Sequence, residues 1–360
     1  MAVNLAKKFE SKLDNQFTHS SFTDVAIGKD YNWQGVNAIT VWDLVAGDLG
    51  DYNASASANR FGTPSEVDDH ATTYTLAKKR SFAKVFDATN VDDTMFIRKA
   101  TAYLKQMWEE RYIPERDKYR LAVWAEGAGQ GALGATLTKS TVIEAILKAH
   151  AALDDALVPN ENRFTFVRSD IAVQTKLAAE LQYSENFTDR SIIRGQIGEI
   201  NGSPIISVPK SYMPADVEFI VKYKGASADP DKMKMLRAND NAPGYAGVLM
   251  EGLCRYDAFV LANKADGIYV YGKTGGSVLA APVIASYASG TLTLTTTSGE
   301  IYKYTKDGSN PKTNPNATSL PAAASGTTTT ITGLVAGDMV RIYKYASGKT
   351  SSPIVAYDVT

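Results

Sequence analysis

The stretch GQIGEINGSPIISVP, residues 195–209, contains two runs rich in isoleucine and valine that meet at Asn201 and Gly202. Asn-Gly is the dipeptide that a tight type I′ turn prefers, because both central residues of that turn need a positive φ. β-branched residues favour strands on either side of such a turn. The stretch therefore predicts a β-hairpin whose turn is formed by Asn201 and Gly202.

Strand and helix patterns follow one another irregularly around this hairpin. Apolar spacing predicts strands at RFTFVRS (163–169), VEFIVKYK (217–224) and DGIYVYG (266–272), and a helix at DIAVQTKLAAELQ (170–182). The run GVLMEGLCRYDAFVLAN (247–263) is too mixed to assign to either type. Because the elements show no regular βαβ repeat, the predicted fold class is α+β.

Two further helices are predicted. In VDDTMFIRKATAYLKQMWEERY, residues 91–112, apolar side chains recur at spacings of three and four. Pro114 is expected to kink or restart this helix, which then resumes up to Gly127 and gives a spine helix over 92–126. A later helix is predicted to begin at Thr141 with a capping box to Glu144. Its buried stripe is expected to be Val142, Ile143, Ile146, Leu147 and Leu153.

The glycine-rich run GAGQGALGA, residues 127–135, separates these helices and predicts a flexible link. Gly129, Gly131 and Gly134 formally match the GxGxxG pattern of dinucleotide-binding proteins. They follow a helix instead of a strand, so they lack the βα crossing that aims backbone amides at a phosphate. A hinge is therefore favoured over a phosphate site.

Residues 1–36 are predicted to form an N-terminal arm that includes a short amphipathic helix with apolar residues at four-residue spacing from Leu5 to Phe17. NAITVWDLV (37–45) and TTYTLAKKRSFAKVFD (72–87) alternate as strands do and are predicted to pair as one long hairpin, an extended loop over 37–87. The basic residues 78–80 lie on this ribbon, where they mark either a solvated edge or a contact with a partner.

The composition changes at GKTGGSVLAAP, residues 272–282. We predict a linker over 273–282 and a second, all-β domain of sandwich type over 283–360, because Thr, Ser, Gly and Tyr dominate short alternating runs there. The expected strands are VIASY, TLTLTTT, EIYKYT, TTTTITG, MVRIYKY and PIVAYDV.

Composition restricts the classes of function. Apolar residues make up 44% and charged residues 21%, and the formal net charge is −1, so no global field attracts the chain to nucleic acid or to a membrane surface. No apolar run approaches the ~18 residues of a membrane span, and no apolar core of a signal peptide is expected near the N-terminus. The single cysteine, Cys254, excludes an internal disulfide and is expected to be buried.

No constellation of residues predicts catalysis. The three histidines, His19, His70 and His150, lie far apart, and Asp68-Asp69-His70 is a poor ligand set because adjacent side chains of an extended segment diverge. The acidic pairs 109–110 and 154–155 lie on predicted helices, where neighbouring residues usually mark the solvated face. We therefore expect no enzyme activity, no cofactor and no catalytic, cofactor-binding or metal-binding residue.

The order of these elements is distinctive when taken with GQIGEINGSPIISVP, the spine pattern and CRYDAFVLANKADGIYVYG (254–272). It resembles the major capsid protein of tailed bacteriophages, whose architecture is the Hong Kong 97 fold. The resemblance implies a shell domain over 37–272, with the 37–87 loop lying over a neighbouring subunit and an axial region at about 141–250.

The resemblance also implies a function and partners. It implies a structural protein of the virion that self-assembles, in the bacterial host cytoplasm, into the hexamers and pentamers of an icosahedral shell around double-stranded DNA. Separate scaffolding and portal proteins are the implied partners, and packaged DNA is a neighbour by non-specific proximity. Subunit contacts are predicted at Arg60, Phe61, Lys78, Lys79 and Arg80.

The tail carries a second resemblance. IYKYTKDGSNPKT (301–313) and SSPIVAYDV (351–359) are similar to the Ig-like module at the C-terminus of chitobiases and β-hexosaminidases, whose catalytic domain has no counterpart upstream here. The implied role is surface decoration with host-surface or glycan contact, and residues 277–360 are expected to be dispensable for assembly. Two alternatives remain open: an encapsulin-like nanocompartment shell and a carbohydrate-binding surface protein.

Overall fold

A computed structural model describes residues 20–28, 31, 38–44, 52–55, 59–61, 69–87, 100–178, 196–239, 244, 247–321, 324 and 326–360. The amphipathic helix predicted from Leu5 to Phe17 lies outside these residues, as does the part of the predicted spine helix before Ala100.

The described residues form strands and helices throughout. The strands are β1 (Ala38–Leu44), β2 (Asp69–Thr75), β3 (Lys78–Asp87), β4 (Gln130–Gly134), β5 (Arg163–Arg168), β6 (Gln196–Ile200), β7 (Ser203–Val208), β8 (Val217–Tyr223), β9 (Ser227–Ala228), β10 (Asp231–Asn239), β11 (Gly247–Tyr256), β12 (Phe259–Val260), β13 (Ile268–Lys273), β14 (Val283–Ala288), β15 (Thr291–Thr295), β16 (Ile301–Thr305), β17 (Thr318–Leu320), β18 (Thr328–Ile331), β19 (Met339–Tyr345) and β20 (Val355–Asp358). The α-helices are α1 (Ala100–Met107), α2 (Ile113–Gly127), α3 (Val142–Asp155) and α4 (Ser169–Leu177). Short 3₁₀ helices occupy Asp24–Ala26, Lys224–Ala226 and Ala262–Gly267.

The largest sheet has six strands in the order β4-β13-β8-β5-β7-β6. It is mixed, since β4 with β13 and β5 with β7 are parallel pairs while the other neighbours are antiparallel. The hairpin predicted from the Asn-Gly dipeptide is confirmed: β6 and β7 pair through Ile200 and Ser203, and Asn201 and Gly202 have φ values of 50° and 74°. The mixed order of helices and strands agrees with the predicted α+β class.

Both faces of this sheet are buried, which explains why β8 is apolar along most of its length. On one face, Leu121 and Trp124 of α2 pack against Phe166 and Ile220. On the other face, α3 and α4 cover the sheet through a second cluster: Val142, Ile146, Ala149, Leu153, Ile171, Ile205, Phe219 and Val221. The sheet therefore lies between the spine helix and the two shorter helices.

The spine continues through Pro114 instead of breaking there. A π-helical segment, Trp108–Tyr112, connects α1 to α2, and Pro114 lies in the first turn of α2. Proline has no N–H to donate and its ring crowds the preceding turn, and a π-helical turn relieves this by widening the helix locally. The predicted end of the helix near Gly127 is confirmed.

Three local predictions were wrong. Thr141 precedes α3, but its side chain makes no capping bond to the helix, and Glu144 pairs with Lys148 at 2.6 Å instead. Leu147 is 47% exposed, so it does not belong to the buried stripe. The glycine-rich run is no hinge, because residues 130–134 form an edge strand of the large sheet.

The long hairpin predicted over 37–87 is divided between two sheets. Strand β1 pairs with β2 from Ala38↔Thr75 to Leu44↔Asp69 and forms a two-stranded sheet. Strand β3 pairs instead with β11, which itself pairs with β10. The ribbon that carries residues 78–80 is therefore one strand of a three-stranded sheet beside the spine helix. The small β9–β12 pair lies next to the base of the hairpin.

The six strands expected in the tail are confirmed, together with one that was not expected, β17. They form a three-stranded sheet, β14-β15-β18, and a four-stranded sheet, β17-β16-β19-β20. One apolar cluster joins the two sheets: Leu292, Leu294, Tyr302, Ile331, Leu334, Val340, Ile342 and Val359. We call residues 283–360 the C-terminal module.

Candidate subunit-contact surfaces

The β1–β2 hairpin presents large aromatic side chains to solvent. Trp42 is 65% exposed and Tyr52 is 56% exposed, while Phe61 is 90% exposed. The rings of Tyr52 and Phe61 contact each other with centroids 5.0 Å apart, and the backbone N–H of Asn53 donates to the carbonyl of Arg60 at 3.0 Å. Aromatic side chains dominate the binding energy of protein interfaces when they become buried there. This end of the hairpin is therefore a candidate contact surface.

The base of the hairpin is fixed to the rest of the chain. Tyr74 packs with Ala228 and Leu261, and its hydroxyl accepts a hydrogen bond from the N–H of Ala262 at 3.0 Å. Where β2 ends, the carboxylate of Asp257 accepts a bond from the N–H of Ala77 at 2.6 Å. The hairpin thus has an anchored base and an exposed aromatic end.

The basic residues predicted as contacts have partners within the same chain. The ammonium of Lys78 lies 4.8 Å from the centre of the Tyr119 ring. Arg80 Nε donates to Glu115 Oε1 at 2.5 Å, and this hydrogen bond raises the pKa of Arg80. Both partners lie on α2, so Lys78 and Arg80 help to hold β3 against the spine helix. Lys79 lies between them, opposite Arg255 of β11.

Of the five predicted contact residues, Arg60 and Phe61 are thus exposed near the end of the hairpin, whereas Lys78 and Arg80 contact the spine helix. The structure does not bring the two groups together. The sequence gave no indication that Tyr119 and Glu115 would be the partners of these basic residues. Both partners lie on the spine helix, and periodicity does not predict contacts between a strand and a separate helix. Trp42 and Tyr52 were also missed, although an aromatic residue on a ribbon without its own core is a usable signal.

Residues 21–28 of the predicted arm are bound to the spine helix; we call them the strap. The carboxylate of Asp117 accepts three hydrogen bonds from the strap, from Ser21 Oγ at 2.7 Å, Phe22 N at 2.8 Å and Thr23 Oγ1 at 2.8 Å. The Phe22 side chain enters the cluster between the spine and the large sheet. This part of the arm is therefore integrated into the body.

Charge pairing strengthens the attachment of the strap. Asp24 accepts from Arg116 at 2.8 Å and from Arg120 at 2.7 Å, and Arg116 also reaches Asp231 at 2.9 Å. Burial raises the pKa of Asp24, but the two guanidinium groups outweigh this effect and hold the pKa below its ordinary value. Because both arginines are buried, loss of Asp24 would leave buried charge poorly paired, which is a costly arrangement.

A fully buried lysine also contacts the strap. Lys222 Nζ donates to the carbonyl of Ala26 at 2.5 Å and lies 4.4 Å from the centre of the Trp124 ring. Burial lowers the pKa of Lys222 to about 8, against the opposing attraction of Asp229. Its position between strap, spine and sheet gives it a structural role.

The remaining candidates for chemistry are dispersed. Among the described residues, no group of three His, Cys, Asp or Glu side chains could hold a metal ion. His150 is buried on α3, where burial and the nearby Arg163 lower its pKa to about 4. Asp154 pairs with Arg163 at 2.7 Å, and Cys254 is buried beside Tyr112 and Tyr256. Within the described part of the chain, no helix is both long and apolar enough to cross a membrane.

Comparisons with solved structures identify the class of fold. A structure from Mycobacterium phage Che8 matches with a TM-score of 0.60 at 16% identity over 74% of this chain and 96% of that one. The capsid structure of cyanophage P-SCSP1u matches with a TM-score of 0.60 at 13% identity over 75% and 93%. The mature capsid of bacteriophage PhiM1 matches with a TM-score of 0.57 at 12% identity over 75% and 92%. The chain therefore has a fold found in phage capsid proteins.

Sequence comparisons add nothing to this result. No protein-family model matches the chain, and no curated protein matches it.

Proposed function

We propose that this chain is the structural major capsid protein of a tailed double-stranded DNA bacteriophage and that it assembles into the hexamers and pentamers of an icosahedral shell around the genome. The observation that carries the proposal is the match to phage capsid structures over more than nine-tenths of their length. A shared fold does not by itself establish a function, so the contact surface must support it too.

The hairpin supplies that support. An isolated two-stranded sheet is marginally stable in water, and exposed aromatic side chains on it are costly unless another surface covers them. In a closed shell, heterologous contacts repeat around each ring, so each hairpin would lie on the next subunit. Many modest contacts of this kind stabilise a shell collectively. Arg60 and Phe61 remain proposed contacts on this basis, as do Trp42 and Tyr52.

The basic residues 78–80 have a narrower proposed role. Since Lys78 and Arg80 contact α2, we infer that they orient the three-stranded sheet beside the spine, with exposed parts of their side chains available to a neighbour. The domain boundaries follow the same proposal: a shell domain over 37–272 of Hong Kong 97 type, with an axial region at about 141–250, and an Ig-like module over 283–360.

The module is proposed to face outward. The matches cover 74–75% of this chain, which leaves about 90 of its 360 residues uncovered, close to the length of the module with the segment that precedes it. The lengths agree with a module that is added to a capsid fold matched nearly whole. Host-surface or glycan contact is its proposed role, while DNA, scaffolding proteins and a portal are the proposed neighbours on the inner side. Near-neutral net charge agrees with only loose contact to DNA.

Expression of the full chain followed by sedimentation and electron microscopy tests the proposal. The expected result is megadalton icosahedral particles. A monomer that binds glycans would instead support a carbohydrate-binding surface protein. Particles that enclose protein cargo and never package DNA, when produced beside the genes of their own locus, would support a nanocompartment shell.

A further inference from the structure

The spine helix ends against the C-terminal module. The last four carbonyl groups of an α-helix have no donor within the helix, so they need partners from elsewhere. Lys312 Nζ donates to the carbonyl of Glu126 at 2.7 Å and to that of Ala128 at 2.8 Å. Ser351 Oγ donates to the same Glu126 carbonyl at 2.8 Å, and the N–H of Ser351 donates to Glu126 Oε2 at 2.9 Å. Two residues of the module therefore provide donors to one carbonyl of the last turn, that of Glu126, and to the carbonyl of Ala128 just beyond the helix.

A local cap is absent at this end of α2. Helices often close with a glycine in the left-handed conformation, whose backbone N–H bonds back to the last turn. Here Ala128 follows the helix with φ −56° and ψ 131°, which directs the chain into β4. A cation near a helix C-terminus is favoured by the helix dipole, and Lys312 Nζ occupies that position, although burial lowers the pKa of Lys312 to about 7. The module thus supplies a cap that the helix does not form itself.

A second line of contacts runs beside the first. The N–H of Ile354 donates to the carbonyl of Gly129 at 2.8 Å. Pro353 approaches the backbone of Gly131 so closely that a Cβ there would lie 3.1 Å from the proline ring. Farther along the interface, Asn310 Nδ2 donates to the carbonyl of Ala262 at 3.0 Å. These contacts fix the module to β4 and to the turn before β13.

The connecting segment 273–282 is itself attached at several points. Val278 and Leu279 are buried, and Val278 belongs to the cluster between the spine and the large sheet. The N–H of Ser277 donates to Asp216 Oδ2 at 2.8 Å, and Leu279 N donates to the carbonyl of Thr350 at 3.1 Å. The module therefore joins the body through a packed segment that also pairs with the module's own chain.

We propose that the C-terminal module is the C-terminal cap and brace of the spine helix, through Lys312 and Ser351, and so forms a fixed part of the folded body of the chain instead of a detachable decoration. This inference concerns the folded chain and does not rest on the proposed capsid function. It replaces the expectation that residues 277–360 are dispensable, because their removal exposes the helix end and the segment that holds Val278.

Amide hydrogen exchange on the full-length double variant Lys312→Met with Ser351→Ala tests the proposal. Exchange in β4 is expected to become faster on the order of tenfold, the effect of losing one or two net hydrogen bonds. The amides of β15 and β19 in the module core should keep their protection, which separates loss of docking from unfolding of the module. The matched control is Ser347→Ala with Lys349→Met, two exposed residues of the same module.

Two results decide the proposal. Faster exchange in β4, together with new protease cleavage within 273–282, supports the brace, provided that the control variant behaves like the parent. Parent-like exchange and cleavage in the double variant would overturn it. If the double variant does not fold, Ser351→Ala alone removes one of the capping bonds and gives the same local readout at smaller amplitude.

Discussion

The β1–β2 hairpin and the C-terminal module both lie outside the large sheet, but they are stabilised in different ways. The module contains two sheets with an apolar core between them, and the large apolar residues that it exposes are aliphatic: Val283, Val335 and Met339. The hairpin has two strands and exposes Trp42, Tyr52 and Phe61. The module can therefore fold on its internal contacts, whereas the exposed aromatic residues of the hairpin become stabilising when another surface covers them.

Their attachments to the body differ as well. The hairpin is held by an apolar cluster around Tyr74, against which Val41 of β1 also packs. The module is held by polar bonds at the end of the spine helix and by the buried residues Val278 and Leu279. A region with its own core can thus serve as a rigid support, while a region without one is suited to contact a second copy of the chain.

The largest expected effect comes from the exposed end of the hairpin. Phe61→Ser should abolish particle formation, because an interface aromatic contributes about 2 kcal/mol or more and the loss is repeated in every subunit. Val335→Ser, at a 64% exposed apolar residue of the module, is the matched control and should leave assembly intact. Sedimentation measures both outcomes. Normal particles from Phe61→Ser would show that the hairpin, like the module, does not depend on contact with a second copy of the chain.

In the module, a substitution in the core should have a larger effect than a substitution on the surface. Ile342→Ala removes a fully buried side chain and is expected to destabilise the module by about 2–5 kcal/mol. Val283→Ala, at a 60% exposed position of the same module, should change the stability by less than about 0.5 kcal/mol. Chemical denaturation of the unassembled chain measures both. Equal losses of stability in the two variants would show that the module core contributes little to the stability of the module.

Acid should affect the body before the module, since residues 283–360 contain no histidine. The pKa of His150 is about 4 in the folded chain against an ordinary value of 6.5, so the unfolded chain takes up the proton first as the pH falls. Stability is therefore lost between pH 6.5 and pH 4, by up to about 3 kcal/mol. Neither ring nitrogen of His150 has a hydrogen-bond partner, so His150→Phe should fold and lose this pH dependence.

Thermal unfolding measured at pH 7 and pH 5 tests that expectation. The parent should lose stability at pH 5 and His150→Phe should lose less. Equal losses in both proteins would assign the acid sensitivity to groups other than His150.

The smallest effect concerns the turn of the β6–β7 hairpin, which contrasts with the long connection between β1 and β2. Gly202 has a φ of 74°, and a Cβ at this position would meet no other atom. Gly202→Val should therefore destabilise the turn through the backbone conformation alone. The expected loss is about 1–2 kcal/mol. Gly202→Asn is the control and should be milder, because asparagine tolerates positive φ. Equal melting temperatures for the two variants would contradict this account.

Local patterns predicted much of the fold. The Asn-Gly dipeptide gave the β6–β7 turn, the three- and four-residue spacing gave the end of the spine near Gly127, and alternation gave six strands of the module. Each of these features depends on residues that are close in the sequence. For the candidate contact surface, the sequence analysis named Arg60 and Phe61, which the structure shows to be exposed, but it did not single out Trp42.

Other predictions failed where a distant partner decided the outcome. Strand β3 pairs with β11, whose mixed sequence could not be assigned, so the basic residues 78–80 were placed on the wrong sheet. The glycine-rich run became a strand because β13 offered a parallel neighbour and because Pro353 approaches Gly131 closely. The partner strands β11 and β13 are far away in the sequence, whereas a periodic pattern reports only on neighbouring residues.

By itself, the sequence determined the type of each strongly periodic element, since apolar spacing and turn chemistry act over a few residues. The tertiary structure alone decided which strands pair, that the strap binds Asp117, and that Lys312 reaches the end of the spine helix. These outcomes depend on burial and on hydrogen-bond partners that folding brings together from distant parts of the chain.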